Sequence, residues 1–189
     1  MRIISGSARS LKLKSPKGAH TRPTSDRVKE TLFNIIAHDI YGRLVLDLYS
    51  GSGALGIEAI SRGAEYAYFV DNSAEAIACI KDNLRNAKMT DRGCVLKRDV
   101  PAALRYLEGL PELTGRCFDL IFIDPPYGME YEKQVLFLLG KKKYLGAGSL
   151  IVLEAPMDLD AGLILPGGME LFREKQYKTN KHLFIRRKT

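Results

Sequence analysis

The chain has 189 residues, 46% hydrophobic and 27% charged, with 17 Gly and 8 Pro. That length suits one domain able to bury roughly 70% of its unfolded surface, and the proportions exclude long-range disorder and collagen-like or mucin-like architectures. The net charge of +7 is unevenly spread: residues 1–30 hold eight Lys/Arg against two acids, residues 169–189 hold seven against two, and the stretch between is net acidic. An acidic body with two basic ends points to a polyanionic partner. No window approaches the ~18 apolar residues of a membrane span, and the first six residues lack the apolar region of a signal peptide. Cys79, Cys94 and Cys117 form no C-x-x-C pair and are expected in the core of a soluble protein kept reduced, in the cytoplasm.

Residues 2–14 place Ile3, Ile4, Leu11 and Leu13 among Gly, Ser, Arg and Lys, which predicts a short hairpin with a basic outer face carrying Arg2, Arg9, Lys12 and Lys14. Residues 15–23 read as loop, marked by Pro16, Gly18 and Pro23. Thr24 or Ser25 is expected to cap a helix with Asp26 in its first turn, and Val28, Leu32, Phe33, Ile35, Ile36 and Ile40 recur at helical spacing. Strands are then predicted at 44–48, 66–70, 94–96, 118–123 and 149–153, with helices from about Ala54, after a Ser73 cap, and after Asp99. Alternation of this kind predicts parallel pairing with helices on both faces. Residues 169–177 and 181–187, separated by Lys178-Thr179-Asn180, predict an antiparallel hairpin closing the sheet edge. The expectation is a single α/β domain over 1–189, with a basic hairpin and loop at 1–23 and a core at 24–189.

Four of the predicted parallel strands run into an acid: Asp47, Asp71, Asp99 and Asp124. Ligands of open α/β sheets bind outside the carboxyl ends of the strands, so four carboxylates at one rim suggest a site. Each alone would read as a turn former or helix cap. Gly51-Ser52-Gly53-Ala54-Leu55-Gly56 fits G-x-G-x-x-G, with Asp71 twenty residues beyond the first glycine. The spacing serves any adenosine cofactor. Asp47, four residues before that glycine, would repel a pyrophosphate but suits the cationic amino acid portion of S-adenosylmethionine, which has no phosphate.

Asp124-Pro125-Pro126-Tyr127 is the signature of methyltransferases acting on exocyclic or amide nitrogen. An exocyclic amine conjugates its lone pair into the ring and is a poor nucleophile. A carboxylate accepting one N–H and the Pro125 carbonyl accepting the other would localise that lone pair toward the methyl group. Two prolines fix φ and stiffen the loop, and Tyr127 offers a flat face for a flipped base. In-line approach at ~3–3.5 Å makes positioning most of the catalysis.

With these segments, and with Arg2-Ile3-Ile4-Ser5-Gly6 and the stretch Arg22-Pro23-Thr24-Ser25-Asp26-Arg27-Val28-Lys29-Glu30-Thr31-Leu32-Phe33-Asn34, the chain resembles, essentially end to end, the bacterial 16S rRNA guanine-N2 methyltransferase family of the guanine-966 type. Ser5 stands where Gly is expected, and Tyr127 where some members carry Phe; either aromatic can stack. The resemblance implies a Rossmann-like class I fold, a mostly parallel seven-stranded sheet with a C-terminal antiparallel hairpin and a small N-terminal hairpin. It implies an S-adenosylmethionine-dependent enzyme, a monomer, that methylates one guanine N2 of 16S rRNA in an assembled or nearly assembled small ribosomal subunit. Asp47, Tyr49, Gly51, Gly53, Asp71, Asn72, Asp99, Val100 and Asp124 would border the cofactor. Asp124, Pro125, Pro126 and Tyr127 would be catalytic. Arg2, Arg9, Lys12, Lys14, Arg22, Thr24, Arg27, Lys178 and Lys181 would meet the RNA, although Arg22 and Arg27 could equally pair with Asp26 or Glu30. Lys141-Lys142-Lys143 suits a helix end, and His20, His38 and His182 have no metal-like spacing. The competing readings are a DNA adenine-N6 or protein glutamine methyltransferase, a ribosome-assembly RNA-binding factor, and an NAD-dependent oxidoreductase.

Overall fold

The computed structural model describes residues 1–16, 26–126 and 131–188. Arg22, Thr24, Ser25 and Tyr127 lie outside the described residues, and with them the helix cap expected at 24 or 25. Seven strands, β1 (Leu44–Leu48), β2 (Tyr66–Asp71), β3 (Gly93–Lys97), β4 (Leu120–Ile123), β5 (Leu150–Pro156), β6 (Met169–Gln176) and β7 (Asn180–Arg187), form one sheet in the order β3-β2-β1-β4-β5-β7-β6. The first five are parallel, and the β6–β7 hairpin adds to β5 antiparallel.

Strand residues alternate between two cores, as a period of two requires. Leu46, Leu48, Val70, Ile121, Ile123, Leu153 and Leu183 pack beneath α4 (Val100–Glu108), α5 (Tyr131–Gly140) and α6 (Ala161–Ile164). Val45, Phe69, Leu120, Phe122, Val152 and Phe184 pack with α1 (Asp26–Ile35), α2 (Ala54–Ser61), α3 (Ala74–Asn86) and the N-terminal arm. Burial on both faces is why these strands read as continuous apolar runs.

Helix α1 ends at Ile35, short of the expected Ile40. The chain tightens into a 3-10 turn at Ala37–Asp39, with the Asp39 N–H on the Ile36 carbonyl at 2.8 Å, and swings into β1 while Ile36 and Ile40 stay buried. The arm at 2–14 turns back on itself as expected, but with a single bridge, Arg2 to Lys12, in place of two strands. The Ile3, Ser10 and Leu13 amides bond within the arm, whereas Ile4 and Ser5 donate to the Glu58 carboxylate at 2.8 and 3.1 Å, and Ala8 donates to Ser61 Oγ at 3.0 Å. Of the three cysteines expected in the core, Cys79 is buried, Cys94 is half-buried and Cys117 is exposed, because Cys117 precedes β4 in the connecting loop.

Candidate active site

The order of strands reverses between β1 and β4, the place where an open α/β sheet leaves a crevice at its carboxyl ends. Asp47 lies one residue before the end of β1, and Asp124 directly follows β4. The Asp124 N–H reaches the Leu48 carbonyl at 3.5 Å, so the Asp-Pro-Pro segment starts beside the turn that opens the glycine loop.

That turn is held tightly. Ser50 Oγ donates to the Asp47 carbonyl at 2.5 Å and accepts the Val70 N–H at 2.9 Å, tying the ends of β1 and β2 together. Gly53, at the start of α2, has φ 75°, a left-handed conformation that glycine adopts without steric cost. At Gly56 a Cβ would lie 2.3 Å from the Phe69 ring, so only glycine lets α2 settle on the sheet there. Tyr49 takes φ 59° without being glycine, and its ring lies 5.9 Å from that of Tyr131. Backbone strain of this kind clusters where a site is held in shape.

The rim carboxylates differ in what they hold. Asp71 accepts the Gly51 N–H at 2.9 Å and the Ser73 N–H at 2.9 Å, clamping the glycine loop to the start of α3. Asp99 caps α4, accepting the Ala102 N–H at 2.7 Å. Both keep lone pairs for a further donor, since a carboxylate offers about four acceptor positions. Asp47 is 2% exposed and accepts one N–H, from Gly56 at 3.0 Å. Burial pushes its pKa up to about 8, and the nearby Asp71 charge adds to that. Asp124 is raised well above the usual carboxylate range by desolvation, then by the charges of Glu154 and Asp47.

A cavity of about 210 Å³ gathers Tyr49, Asp71, Asn72, Asp99 and Val100, together with Arg98, Pro101, Tyr131 and Gln134. Sites that enclose a whole drug-sized ligand run to ~300–1,000 Å³; this one is smaller, and Asp47, Gly51, Gly53 and Asp124 are not among its lining residues. A larger groove of about 330 Å³ between α5 and α6 contains none of the residues expected from the sequence. Arg98, Pro101, Tyr131 and Gln134 carried no local signal and enter the site only through the fold.

The rim also fits the expected cofactor chemically. No ion pair forms on Asp47 among the described residues, so a buried carboxyl near the end of β1 lacks a cation. The ammonium or sulfonium of S-adenosylmethionine supplies one, and no phosphate has to be accommodated. Among the described residues no group of His, Cys, Asp and Glu is placed to hold a metal.

The expected RNA contacts divide. Arg9, Lys12, Arg27 and Lys178 are exposed. Arg2 is exposed and pairs with Asp26 at 3.0 Å, and Lys14 is exposed and pairs with Asp82 at 2.7 Å. Asp26 therefore serves Arg2 and not Arg27. Lys181 is 6% exposed and its ammonium lies 3.4 Å from Glu174, which removes it from the surface available to RNA. β7 is covered on both faces from Lys181 to Ile185, something the position of Lys181 next to a predicted turn concealed.

The family model described as Conserved hypothetical protein 95 matches residues 1–186. A Bacillus subtilis (strain 168) protein, carried under the provisional name rRNA methyltransferase YlbH, is 41% identical over 160 residues, 85% of each chain. A Haemophilus influenzae protein named ribosomal RNA small subunit methyltransferase D is 34% identical over 176 residues, covering 93% of this chain and 88% of its own. Among solved structures, an Escherichia coli protein provisionally titled methyltransferase yhhF has a TM-score of 0.81 at 30% identity, covering 99% of this chain and 97% of its own. No helix among the described residues is long and apolar enough to cross a membrane. The glycine loop, the cation-seeking Asp47 and these relatives converge: the chain belongs to the Conserved hypothetical protein 95 family of class I methyltransferases, with S-adenosylmethionine as cofactor.

Proposed function

We propose that this protein, a single-domain cytoplasmic monomer, methylates the exocyclic N2 amine of a guanine in 16S rRNA within an assembled or nearly assembled small ribosomal subunit. The observation that carries the reading is the placement of Asp124-Pro125-Pro126 beside Asp47 at the strand switch, in a chain similar to a relative named for small-subunit ribosomal RNA methylation. When bound, S-adenosylmethionine supplies a methyl carbon made electrophilic by its sulfonium. Asp47 holds the cofactor's cationic amino acid portion beside Gly51 and Gly53. Asp71, Asn72, Tyr49, Asp99 and Val100 hold its adenosine end. Asp124 accepts one N–H of the amine and the Pro125 carbonyl the other, turning the lone pair toward the methyl group. Pro125 and Pro126 limit the loop's freedom, and Tyr127 stacks on the base. No strong base is needed, because the methylated ammonium is very acidic and releases its proton to Asp124 or water.

Arg2, Arg9, Lys12, Lys14, Arg22, Thr24 and Arg27, with Lys178 on the far hairpin, meet the RNA backbone. The test is to offer labelled S-adenosylmethionine with undermethylated small subunits, naked 16S rRNA and duplex DNA, and to identify the product by nucleoside mass spectrometry. N2-methylguanosine from subunits, with little transfer to DNA, is expected. Asp124→Ala should lose transfer by more than about 100-fold, the scale of a lost positioned group, while binding of the cofactor stays largely intact. Retained turnover in that variant would overturn the assignment of Asp124.

A further inference from the structure

The two basic ends of the chain lie on one side of the sheet. Ile3 and Leu13 of the arm belong to the same core layer as Phe184 of β7. Alternation along β7 puts Arg186 on that side as well, and the register sets Glu170, Arg173 and Lys175 of β6 opposite Arg186, Phe184 and His182. β6 is the last strand of the sheet, so this face reaches its free edge. Arg173, Lys175 and Arg186 stand there against one acid, Glu170.

The face is built around Phe172. The pairing of β6 with β7 shifts between Leu171 and Arg173, which leaves Phe172 as the extra residue of a bulge, an irregularity that re-aims a side chain. Its ring meets the buried Phe184 edge to face, with centroids 6.1 Å apart, yet stays 43% exposed. The guanidinium carbon of Arg186, also an exposed residue, lies over that ring at 4.0 Å from its centroid. No salt bridge forms on Arg173, Lys175 or Arg186 among the described residues. The next residue, Arg187, serves the fold instead: it is half-buried and donates to the Gly140 carbonyl at 2.9 Å. A guanidinium held over an aromatic ring keeps its other face open, and its weak hydration lets a base stack there. Protein partners favour interface cores depleted of charge, whereas one exposed ring among three cations suits a nucleic acid.

We infer that Phe172 and Arg186 form a stacking platform for an unpaired base of the RNA substrate, with Arg173 and Lys175 on the flanking phosphates. The inference rests on RNA being the substrate, as proposed above, and adds a contact remote from the chemistry. Asp124 follows Ile123, which pairs with Leu153, whereas Arg186 follows Ile185, which pairs with Ile151 in the antiparallel sense. The platform therefore sits about four residues, roughly 13 Å, nearer the amino ends of the parallel strands than Asp124 does. It grips RNA outside the crevice and takes no part in the transfer itself.

Fluorescence anisotropy of the whole chain with two labelled RNAs, a stem–loop with an unpaired loop and a blunt duplex of the same length, tests the platform. Phe172→Leu keeps an apolar cover on Phe184, and Arg186→Lys keeps the charge. Each should weaken stem–loop binding about 5- to 100-fold, the worth of one stacked base, and leave duplex binding within about twofold. Replacing Arg173 and Lys175 together by Gln should lower the log–log salt slope on the stem–loop by about 1.4. With undermethylated small subunits as substrate, KM should rise with the stem–loop Kd while kcat holds. Tm on the same samples identifies a variant that fails to fold, and Arg186→Lys, a surface change, carries the test if Phe172→Leu does. Unchanged stem–loop binding in the folded variants, equal losses on both RNAs, or a fall in kcat overturns the inference. A wild-type chain that binds neither RNA overturns the reading on which it rests.

Discussion

Glu58 and Asp47 are both carboxylates withdrawn from solvent, eleven residues apart in the chain. Glu58 in α2 receives the Lys29 ammonium at 3.0 Å, the Arg62 guanidinium at 2.8 Å and the backbone N–H groups of Ile4 and Ser5. Lys29 itself is fully buried and also donates to the Arg2 carbonyl at 2.6 Å. Asp47 receives one amide. The first carboxylate is satisfied by its own chain and joins α1, α2 and the arm; the second, near the end of β1, has no cation among the described residues and is pushed toward its protonated form. Equal burial with unequal compensation distinguishes an anion that holds the fold from a carboxyl that a bound cation would ionise.

The contrast is broken most forcefully at Glu58. Glu58→Ala strands a buried ammonium and should cost about 3–5 kcal/mol in chemical denaturation. Asp47→Asn should cost under about 1 kcal/mol without cofactor, since its amide oxygen still accepts from Gly56, yet weaken cofactor binding roughly 10- to 150-fold by calorimetry, the worth of a charged hydrogen bond. The pH dependence follows the same logic. With its pKa up to about 8, the folded state holds a proton on Asp47 that the unfolded chain, near 3.9, has released. Stability without cofactor should therefore fall as pH rises between those values and level off above 8. Cofactor affinity should do the opposite, rising to pH 8 with release of a proton.

A smaller effect tests how the arm meets the glycine loop. Asn83, fully buried, exchanges both amide bonds with Lys14, at 2.9 and 3.0 Å, and donates to the Ser52 carbonyl at 2.9 Å. Asn83→Ala should cost about 1–3 kcal/mol and speed proteolysis of the arm. The mildest change keeps the arm seated and removes its outward charge. Neutralising Arg9, Lys12 and Lys14 together should lower the log–log salt slope of RNA binding by about 2–3. An unchanged slope would mean the arm does not touch phosphates.

Much of this architecture was legible because its signals are local. Apolar runs marked the parallel strands, the Ser73 cap is present with the Ala76 N–H on its hydroxyl at 3.2 Å, and the hairpin pairs where alternation placed it. The glycine pattern and the strand-end acids located the rim. What stayed hidden depends on pairing at a distance. Glu154 and His182 are 28 residues apart and meet only through the β5–β7 register. Lys29 and Glu58 lie on two different helices, and nothing nearby in sequence shows that each is the other's partner. Lys181 is hidden for the same reason, because β7 lies between β5 and β6 in the sheet and is buried on both faces from Lys181 to Ile185.

The residues that secure the arm also set an order of events. Residues 2–14 are made before any of their holders, Glu58, Ser61 and Asn83, which lie 53 to 69 positions further along the chain. During synthesis the basic segment finds part of its seat with α2 and the whole of it only when α3 exists. Closing a loop of that length costs little more entropy than a shorter one, but it comes late. A segment made before its holders is thus among the last of its neighbourhood to be placed.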